Sequence, residues 1–356
     1  MVYIFAAILI FGVLIAVHEL GHFLAAKACG VQVNEFAIGM GPAIFKKTYG
    51  ETEYSLRILP IGGYCAMEGE EEDSANPRAL NNQGFWKKFL IFVAGAAMNF
   101  ITGFFIMLCL YIGAKGFYGT EIVAFHEDFP QQGEAGLMLG DQLYAINGER
   151  IYLRSDVEML FSIIDRDEEG KIELTVLRNG EKLKRTLTLQ TYLNEKGEEY
   201  RAYGFSYGGI VEATPKTWLQ YSWYNTIDFV RMVRLSLKML VSGAAGVNDL
   251  SGPIGIVSTM TQMGEEAEAE GGFGAALESI AYFAALIAVN LAVMNLLPIP
   301  ALDGGKVFFL VVNAGALAIF KRQIPAKYEN YIHAAGFALL MLLMLFVTFH
   351  DVVKLF

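Results

Sequence analysis

The sequence contains few cysteines and few basic residues, and both shortages exclude classes of protein. Three cysteines occur among 356 residues, without the paired spacing of a disulfide framework or a thiolate metal site. Lys and Arg total 27 against 37 Asp and Glu, which gives a formal net charge of -10. No stretch supplies the basic face that binding to nucleic-acid phosphates requires. We therefore exclude nucleic acid as a partner.

Hydrophobic residues, in contrast, are abundant. They make up 54% of the chain, and the mean hydropathy of +0.40 is too high for an ordinary soluble enzyme. Long apolar runs predict four transmembrane helices, near residues 2–28, 89–114, 275–297 and 331–349. A cleaved signal peptide is the alternative for the first run, but no Lys or Arg precedes Lys27.

The residues between the second and third runs have a different character. Residues 115–206 are charged, and Asn179-Gly180 separates two alternating segments, which predicts a β-hairpin within a small folded domain. The apolar segment Trp218–Val241 carries Arg231, Arg234 and Lys238 on one helical face, which predicts an interfacial helix rather than a span. The glutamate-rich residues 264–272 are predicted to form a solvated linker.

The predicted fold class is a polytopic α-helical membrane protein with four transmembrane helices and an inserted, small, β-rich domain. Residues 1–114 hold the first two helices, 115–206 the inserted domain, 207–274 the interfacial amphipathic helix and linker, and 275–356 the last two helices. Basic residues concentrate between spans one and two and between spans three and four. These loops are therefore predicted to be cytosolic, with the inserted domain outside.

The first helix contains the motif His18-Glu19-Leu20-Gly21-His22. Its histidines at i and i+4 are about 40° apart around the helix and roughly 6 Å apart along it, so both can bind one Zn²⁺. Glu19 then acts as the base that takes the proton of the attacking water. A chance match is the alternative, but unpartnered ionisable groups within a bilayer cost about 2–3 kcal/mol each, which favours function.

A zinc site needs a third protein ligand. The metzincin extension is absent, because Ala25 and Ala28 occupy the positions of its glycine and third histidine. His333 is one candidate and Asp303, which follows the third span, is another; a turn or helix-cap role is the alternative for this aspartate. His18 lies roughly 24 Å along span one, near its inner end, and Asp303 follows the inner end of span three. Topology therefore favours Asp303.

These motifs together resemble the site-2 protease family, specifically its bacterial RseP-type intramembrane zinc proteases. The resemblance covers nearly the whole chain and rests on His18–His22, on the segment Asn295–Gly305 and on the inserted domain. It implies Zn²⁺ bound by His18, His22 and Asp303, Glu19 as catalytic base, and Asn295 as a residue that holds the unwound substrate.

The resemblance also implies a function and a location. Such proteases hydrolyse peptide bonds in or near transmembrane segments, as the second cut of regulated intramembrane proteolysis. Expected substrates are single-span membrane proteins, namely anti-sigma factors and remnant signal peptides. The expected location is the lipid bilayer of the bacterial inner membrane, with the active site near the cytosolic side. A catalytically silent membrane scaffold and a zinc transporter are the alternatives from other functional classes.

Two further segments resemble parts of this family. Gly140–Gly148 resembles a PDZ domain, present here in one copy, in which Gly136, Leu137 and Gly140 are predicted to bind peptide C-termini; a generic small β domain is the alternative. Tyr54–Tyr64 resembles a β loop that pairs with an extended substrate, and a plain cytosolic hairpin is its alternative. Two positions depart from the family pattern: Ala96 replaces a common proline, and Lys306 replaces a common histidine.

Overall fold

The computed structural model describes the whole chain except residues 1, 71, 73, 164–169, 195, 245, 247–250, 323, 324, 355 and 356. The chain divides into two compact units, which we name the membrane unit (Met1–Met107 with Phe229–Phe356) and the insert unit (Leu108–Asp228). The elements in chain order are α1 (Val2–Ala28), β1 (Val33–Tyr49), β2 (Thr52–Met67), α2 (Phe85–Tyr111), β3 (Gly116–Phe125), β4 (Gln142–Ile146), β5 (Glu149–Arg150), α3 (Arg154–Ile163), β6 (Ile172–Arg178), β7 (Glu181–Leu187), β8 (Gln190–Leu193), β9 (Glu199–Ala202), β10 (Phe205–Glu212), α4 (Pro215–Ser242), α5 (Pro253–Asn295), α6 (Asp303–Phe320) and α7 (Ala326–Lys354).

The apolar helices agree with a multi-pass membrane protein. Within the described residues, five helices are long and apolar enough to cross a bilayer: α1, α2, α5, α6 and α7. Sequence predicts four, and α6 is the additional candidate. Helix α4 is not among the five, although it is 28 residues long. On α4, Arg234 and Lys238 are exposed and Arg231 is buried, and the interfacial position of this helix stays a prediction.

Helix α5 is a helical hairpin rather than one straight rod. Gly272 interrupts it with a backbone conformation (φ 75°, ψ -174°) that is essentially restricted to glycine. Met260 and Ile280, on opposite sides of this break, share a core cluster with Tyr3. The second segment, residues 273–295, is roughly 34 Å long and can cross the hydrocarbon. The predicted linker at 264–272 is therefore helical as far as residue 271, because its Gly264 packs against Tyr3 and Ile280.

Strands β1 and β2 form a bent antiparallel layer. Residues near Glu35 in β1 pair with Glu53 in the first half of β2 and with Ala66 in its second half. The second half of β1 pairs with the first half of β2, as in Phe45 with Leu56. The first half of β1 is thus central, and the second half of β2 forms one edge. Sequence anticipates a strand at 54–64 but not this double pairing.

The insert unit is built on a sheet with strand order β10-β3-β4-β6-β7, with β5 beside β4. Its core contains Leu137, Leu143, Ile146, Leu160 and Leu174, each at most 1% exposed. Strands β6 and β7 are joined through Asn179 and Gly180, both with positive φ, as the Asn-Gly signal predicts. The predicted β-rich insertion is therefore present.

Candidate metal centre

Three potential metal ligands converge within the membrane unit. His18 and His22 lie one turn apart on α1, and Asp303 is the first residue of α6. The Nε2 atoms of the two histidines are 3.2 Å apart. Asp303 Oδ2 lies 3.0 Å from Nε2 of His18 and 3.2 Å from Nε2 of His22. The three atoms therefore form a nearly equilateral triangle.

This triangle has the dimensions of one face of a tetrahedral zinc site. Zn–N and Zn–O bonds of about 2.0–2.1 Å place neighbouring ligand atoms roughly 3.3 Å apart. His22 Nδ1 lies 2.8 Å from the carbonyl oxygen of Ile91, which can only accept, so Nδ1 carries the proton and Nε2 of the neutral ring keeps its lone pair. Lone pairs that face one another at this distance repel unless a cation lies between them, so these residues fit Zn²⁺.

Asn99 on α2 supports the other histidine. It is 1% exposed, and its Nδ2 lies 3.5 Å from His18 Nδ1, while its Oδ1 has no partner among the described residues. Reversing the amide places Oδ1 at Nδ1, where it accepts a hydrogen bond and leaves Nε2 of His18 for the metal. Asn99 is not among the residues predicted from sequence, although a single amide inside an apolar helix is a usable signal.

Glycines allow α1 and α2 to approach closely at this site. A Cβ on Gly21 would lie 2.4 Å from the carbonyl oxygen of Ala94. A Cβ on Gly95 would lie 2.3 Å from His22 Nε2 and 2.8 Å from His18 Nε2. Any side chain at position 95 would therefore occupy the space in which the ligands meet.

A tight turn brings Asp303 to the histidines. Pro298 and Pro300 follow the end of α5, as sequence predicts, and the Gly305 N–H donates to the carbonyl of Leu302 at 3.0 Å. A Cβ on Gly304 would lie 2.2 Å from the carbonyl oxygen of Leu297. Only glycine lets α6 begin directly against the end of α5, which aims the first carboxylate of α6 at α1.

Glu19 faces the edge of the β layer. A Cβ on Gly63, in the second half of β2, would lie 3.5 Å from Cγ of Glu19. Gly63 pairs with Ile38 of β1 on one side, and within the described chain no further strand pairs with its other side. A row of unpaired main-chain groups thus passes beside the proposed base.

An apolar groove of about 480 Å³ runs between α1 and the β layer. Its lining includes Leu9, Val13, Ala16, Val17 and Leu20 of α1 together with Ile38, Leu56 and Pro60 of the layer. Arg57 lies at the groove and contacts Glu35 at 2.7 Å. Burial acts to raise the pKa of Glu35, but hydrogen bonds from Tyr64, Ser55 and Arg57 outweigh it and lower that pKa to about 2. The groove is therefore apolar, with its one charge already paired.

An ion pair links α6 to the residues after β2. Lys306 Nζ lies 2.7 Å from Glu70 Oε1 and 5.7 Å from the ring centre of Phe92. Helix α6 is largely apolar and carries two charged residues, Asp303 and Lys306. A lysine in such an apolar helix is costly unless it has a partner of opposite charge. The departure from the family pattern at position 306 is thus accommodated by Glu70.

Other candidates from sequence lie elsewhere. His333 Nδ1 accepts a hydrogen bond from the Ala301 N–H at 2.9 Å, and His333 is outside the ligand cluster. Asn295 is the last residue of α5 and is half-buried. Asn295 therefore lies directly before the turn that leads from α5 to Asp303.

The predicted carboxylate-binding loop of the insert unit is not supported. The N–H groups of Gly136, Leu137 and Gly140 donate to the carbonyls of Gly133, Gln131 and Ile122, at 3.0, 2.8 and 2.9 Å. Leu137 is also fully buried. These N–H groups are already satisfied by the loop and by β3, so they cannot bind a peptide carboxylate unless these hydrogen bonds break.

Comparison with known proteins gives matches over almost the entire chain. The family model described as peptidase family M50 matches residues 6–343. A protein of Clostridium perfringens named as a zinc metalloprotease is 37% identical over 99% of this chain and 98% of its own length. A similarly named protein of Clostridium acetobutylicum is 38% identical over 98% of this chain and 96% of its own. The regulator of sigma-W protease RasP of Bacillus subtilis is 28% identical over 99% of both chains.

Proposed function

The chain belongs to peptidase family M50, and from this premise we propose that it cuts membrane-protein substrates with Glu19 as base and with His18, His22 and Asp303 as zinc ligands. The predicted activity, that of an intramembrane zinc metalloprotease, is confirmed by the family and by its zinc-metalloprotease relatives. A silent scaffold and a zinc transporter are thereby set aside. The observation that carries the residue roles is the triangle of ligand atoms of His18, His22 and Asp303, with the Glu19 carboxyl close enough to be influenced by all three.

The proposed residue roles follow from the geometry. Bound Zn²⁺ supplies Lewis acidity, which makes water a nucleophile near neutral pH and polarises the scissile carbonyl. Glu19 accepts the water proton at its carboxylate and returns it to the leaving amine nitrogen. Asn99 and the carbonyl of Ile91 hold the two imidazole rings in the tautomer that presents Nε2.

We infer that substrate binds as an added strand. The outer side of β2 near Gly63 offers unpaired main-chain groups beside Glu19, and an extended peptide can pair with them. Only a segment that has left its helical conformation can do so, because helical N–H and C=O groups are already paired. Asn295, at the end of α5, is proposed to bind main-chain groups on the other side of this segment. The groove lined by α1 and the layer receives apolar side chains of the substrate.

The insert unit is proposed to bind peptides at a different place from the loop at Gly136. Strand β10 is an outer strand of its sheet, paired with β3 on one side and with no strand on the other in the described chain. Glu158 and Arg154 of α3 are close enough to Tyr207 to influence its hydroxyl, so this helix lies near β10. An edge strand beside a helix is how PDZ domains hold peptides.

We propose that the chain crosses the bilayer four times. Helix α6 is not one of these crossings, because it lies on the same side of the metal centre as the first residues of α7. The two helices pair antiparallel: the ring centre of Phe309 lies 5.3 Å from that of His333, with the two rings tilted, and Asn313 Nδ2 donates to Glu329 Oε2 at 3.3 Å. Helix α7 passes the turn before Asp303 at Gly336, whose Cβ would lie 2.4 Å from Pro300. The remaining residues 336–354 are roughly 27 Å long and provide the crossing.

Orientation and substrates are part of the same proposal. We propose that the metal centre lies near the cytosolic side of a bacterial inner membrane, with the insert unit outside, because basic residues concentrate between spans one and two and between spans three and four. The name of the Bacillus subtilis relative connects it with sigma-W. By analogy, we propose membrane-anchored anti-sigma factors and remnant signal peptides as substrates.

The test compares the wild type with Glu19→Gln on a panel of single-span reporter proteins in proteoliposomes. Glu19→Gln should keep stoichiometric zinc and lose cleavage by at least about a thousandfold, because the proton acceptor is gone. Asp303→Asn should lose both zinc and cleavage. Cleavage by Glu19→Gln at the wild-type rate, or undiminished zinc in Asp303→Asn, would contradict the assigned roles.

A further inference from the structure

Ala301, two residues before Asp303, has an unusual backbone conformation. Its φ of 78° lies in the left-handed region, where a Cβ clashes with the following carbonyl. The other non-glycine residues with positive φ in the described chain have local reasons: Asn147 and Asn179 are of a type that tolerates it, and Lys321 is a helix C-cap. Alanine has no polar side chain to compensate, so something else must hold position 301.

His333 supplies that hold from α7. Its Nδ1 accepts the Ala301 N–H at 2.9 Å. The same ring lies against Gly305, whose Cβ would be 3.1 Å from Cε1, and 5.3 Å from the ring centre of Phe309. One imidazole therefore contacts the chain on both sides of Asp303, before it at 301 and after it at 305 and 309.

We propose that His333 is a positioning residue that locks Ala301 in the left-handed conformation and thereby fixes the direction in which Asp303 leaves the turn. Because Nδ1 accepts a hydrogen bond, the proton of the neutral ring is on Nε2, which has no partner among the described residues. The ring thus serves the turn and not the metal. This inference rests on the proposed role of Asp303 as a zinc ligand.

Four variants separate this role from simple packing. His333→Leu removes the acceptor and keeps an apolar side chain, whereas His333→Asn keeps an oxygen at nearly the place of Nδ1. Ala301→Gly removes the cost of the left-handed conformation, and the double variant Ala301→Gly with His333→Leu tests whether glycine makes the histidine dispensable. His350→Leu is the matched control, since His350 lies on the same helix and its buried Nε2 has no partner in the part of the chain that the structure describes.

The measurements are the zinc dissociation constant of the full-length protein, by chelator competition, and kcat and KM on one reporter. His333→Leu should bind zinc about tenfold more weakly, equivalent to ~1.4 kcal/mol, and should lose kcat with little change in KM. His333→Asn, Ala301→Gly, the double variant and His350→Leu should all stay within about threefold of the wild type.

Several outcomes would overturn the proposal. Unchanged zinc affinity in His333→Leu would do so, as would a double variant that binds zinc as weakly as His333→Leu. If His333→Leu fails to fold, a comparison of His333→Asn with His333→Gln replaces it, because only asparagine places its acceptor near the position of Nδ1. Equal zinc affinities of these two variants would refute the role of His333. A wild type that binds zinc and cuts no reporter would contradict the proposed role of Glu19 as catalytic base, while the zinc affinities would still decide this inference.

Discussion

Replacing Gly95 with alanine is the sharpest perturbation of the metal centre. The new Cβ would lie 2.3 Å from His22 Nε2, 2.7 Å from His18 Cε1 and 2.8 Å from His18 Nε2. Ordinary van der Waals contact begins near 3.4 Å, so the methyl group is too close by about 1.1 Å. Either the imidazole rings rotate away or α2 moves back by about the same distance.

The expected loss follows from the tolerance of zinc coordination. Ligand distances in such sites hold to about 0.2 Å, and a displacement of about 1 Å at a reacting centre costs on the order of 100-fold. We therefore expect Gly95→Ala to lower kcat/KM by about 100-fold or more, which corresponds to about 2.7 kcal/mol. Zinc affinity should fall with it, while the helices still form, since alanine favours a helix over glycine.

The assay pairs zinc affinity with reporter cleavage, and two glycine variants serve as controls. Gly315→Ala in α6 adds a Cβ with nothing within 4 Å and should leave both quantities unchanged. Gly103→Ala lies on the same helix as Gly95 but meets Val289 at 2.6 Å, so it tests helix packing away from the ligands. If Gly95→Ala binds zinc and cuts like the wild type, the placement of α2 against the histidines is wrong.

Three further predictions concern other parts of the chain. Lys306→Met should lower the midpoint of SDS-induced unfolding by an amount equivalent to roughly 1 kcal/mol, and the exchange Lys306→Glu with Glu70→Lys should restore most of it. In the insert unit, burial acts to raise the pKa of Asp141, but hydrogen bonds from Arg178 outweigh it and lower that pKa. The stability of the wild type should therefore hold above about pH 4 and fall as the pH drops below it. Asp141→Asn should cost roughly 3 kcal/mol at pH 7 and should lose this pH dependence, as the midpoints of urea unfolding would show. Gly272→Ala should destabilise the α5 hairpin by about 1–3 kcal/mol, seen as faster hydrogen exchange in residues 253–271, because its φ of 75° with ψ of -174° is essentially restricted to glycine.

Sequence could predict those parts of the site that depend on short-range spacing. The i, i+4 relation of His18 and His22 is a property of one helix, and the carboxylate of Asp303 is conspicuous after an apolar run. Their convergence could be argued from topology alone, because parallel helices bring their inner ends to the same depth. The apolar helices and the β-rich insertion were accessible for the same reason, since their signals are local periodicities.

The rest depends on contacts that no local pattern encodes. The fold-back at Gly272 follows from the packing of Met260 against Ile280. The sequence of residues 264–272, which is rich in glutamate, instead predicts a solvated linker. Likewise, His333 looks like a weak ligand candidate until the left-handed Ala301 is seen. Helix α6 satisfies the length and hydropathy of a span, and its antiparallel pairing with the first part of α7 is a long-range contact that local composition does not encode. In each case a long-range contact overrides what composition favours.

Removing the metal tests whether zinc organises this site or occupies one that the fold already holds. Each proposed ligand is tied to the protein independently of the metal: His22 through the carbonyl of Ile91, His18 through Asn99, and Asp303 through the turn at Ala301. A zinc finger unfolds without metal because it lacks such support. Here, chelation should abolish cleavage yet lower stability by at most about 4 kcal/mol at free zinc a thousandfold above the dissociation constant. Hydrogen exchange of α1 and α2 should stay slow in the chelated protein, and restored zinc should restore activity without refolding. General loss of protection in these helices on chelation would show that zinc, and not the contacts among α1, α2 and the turn, holds the three ligands together.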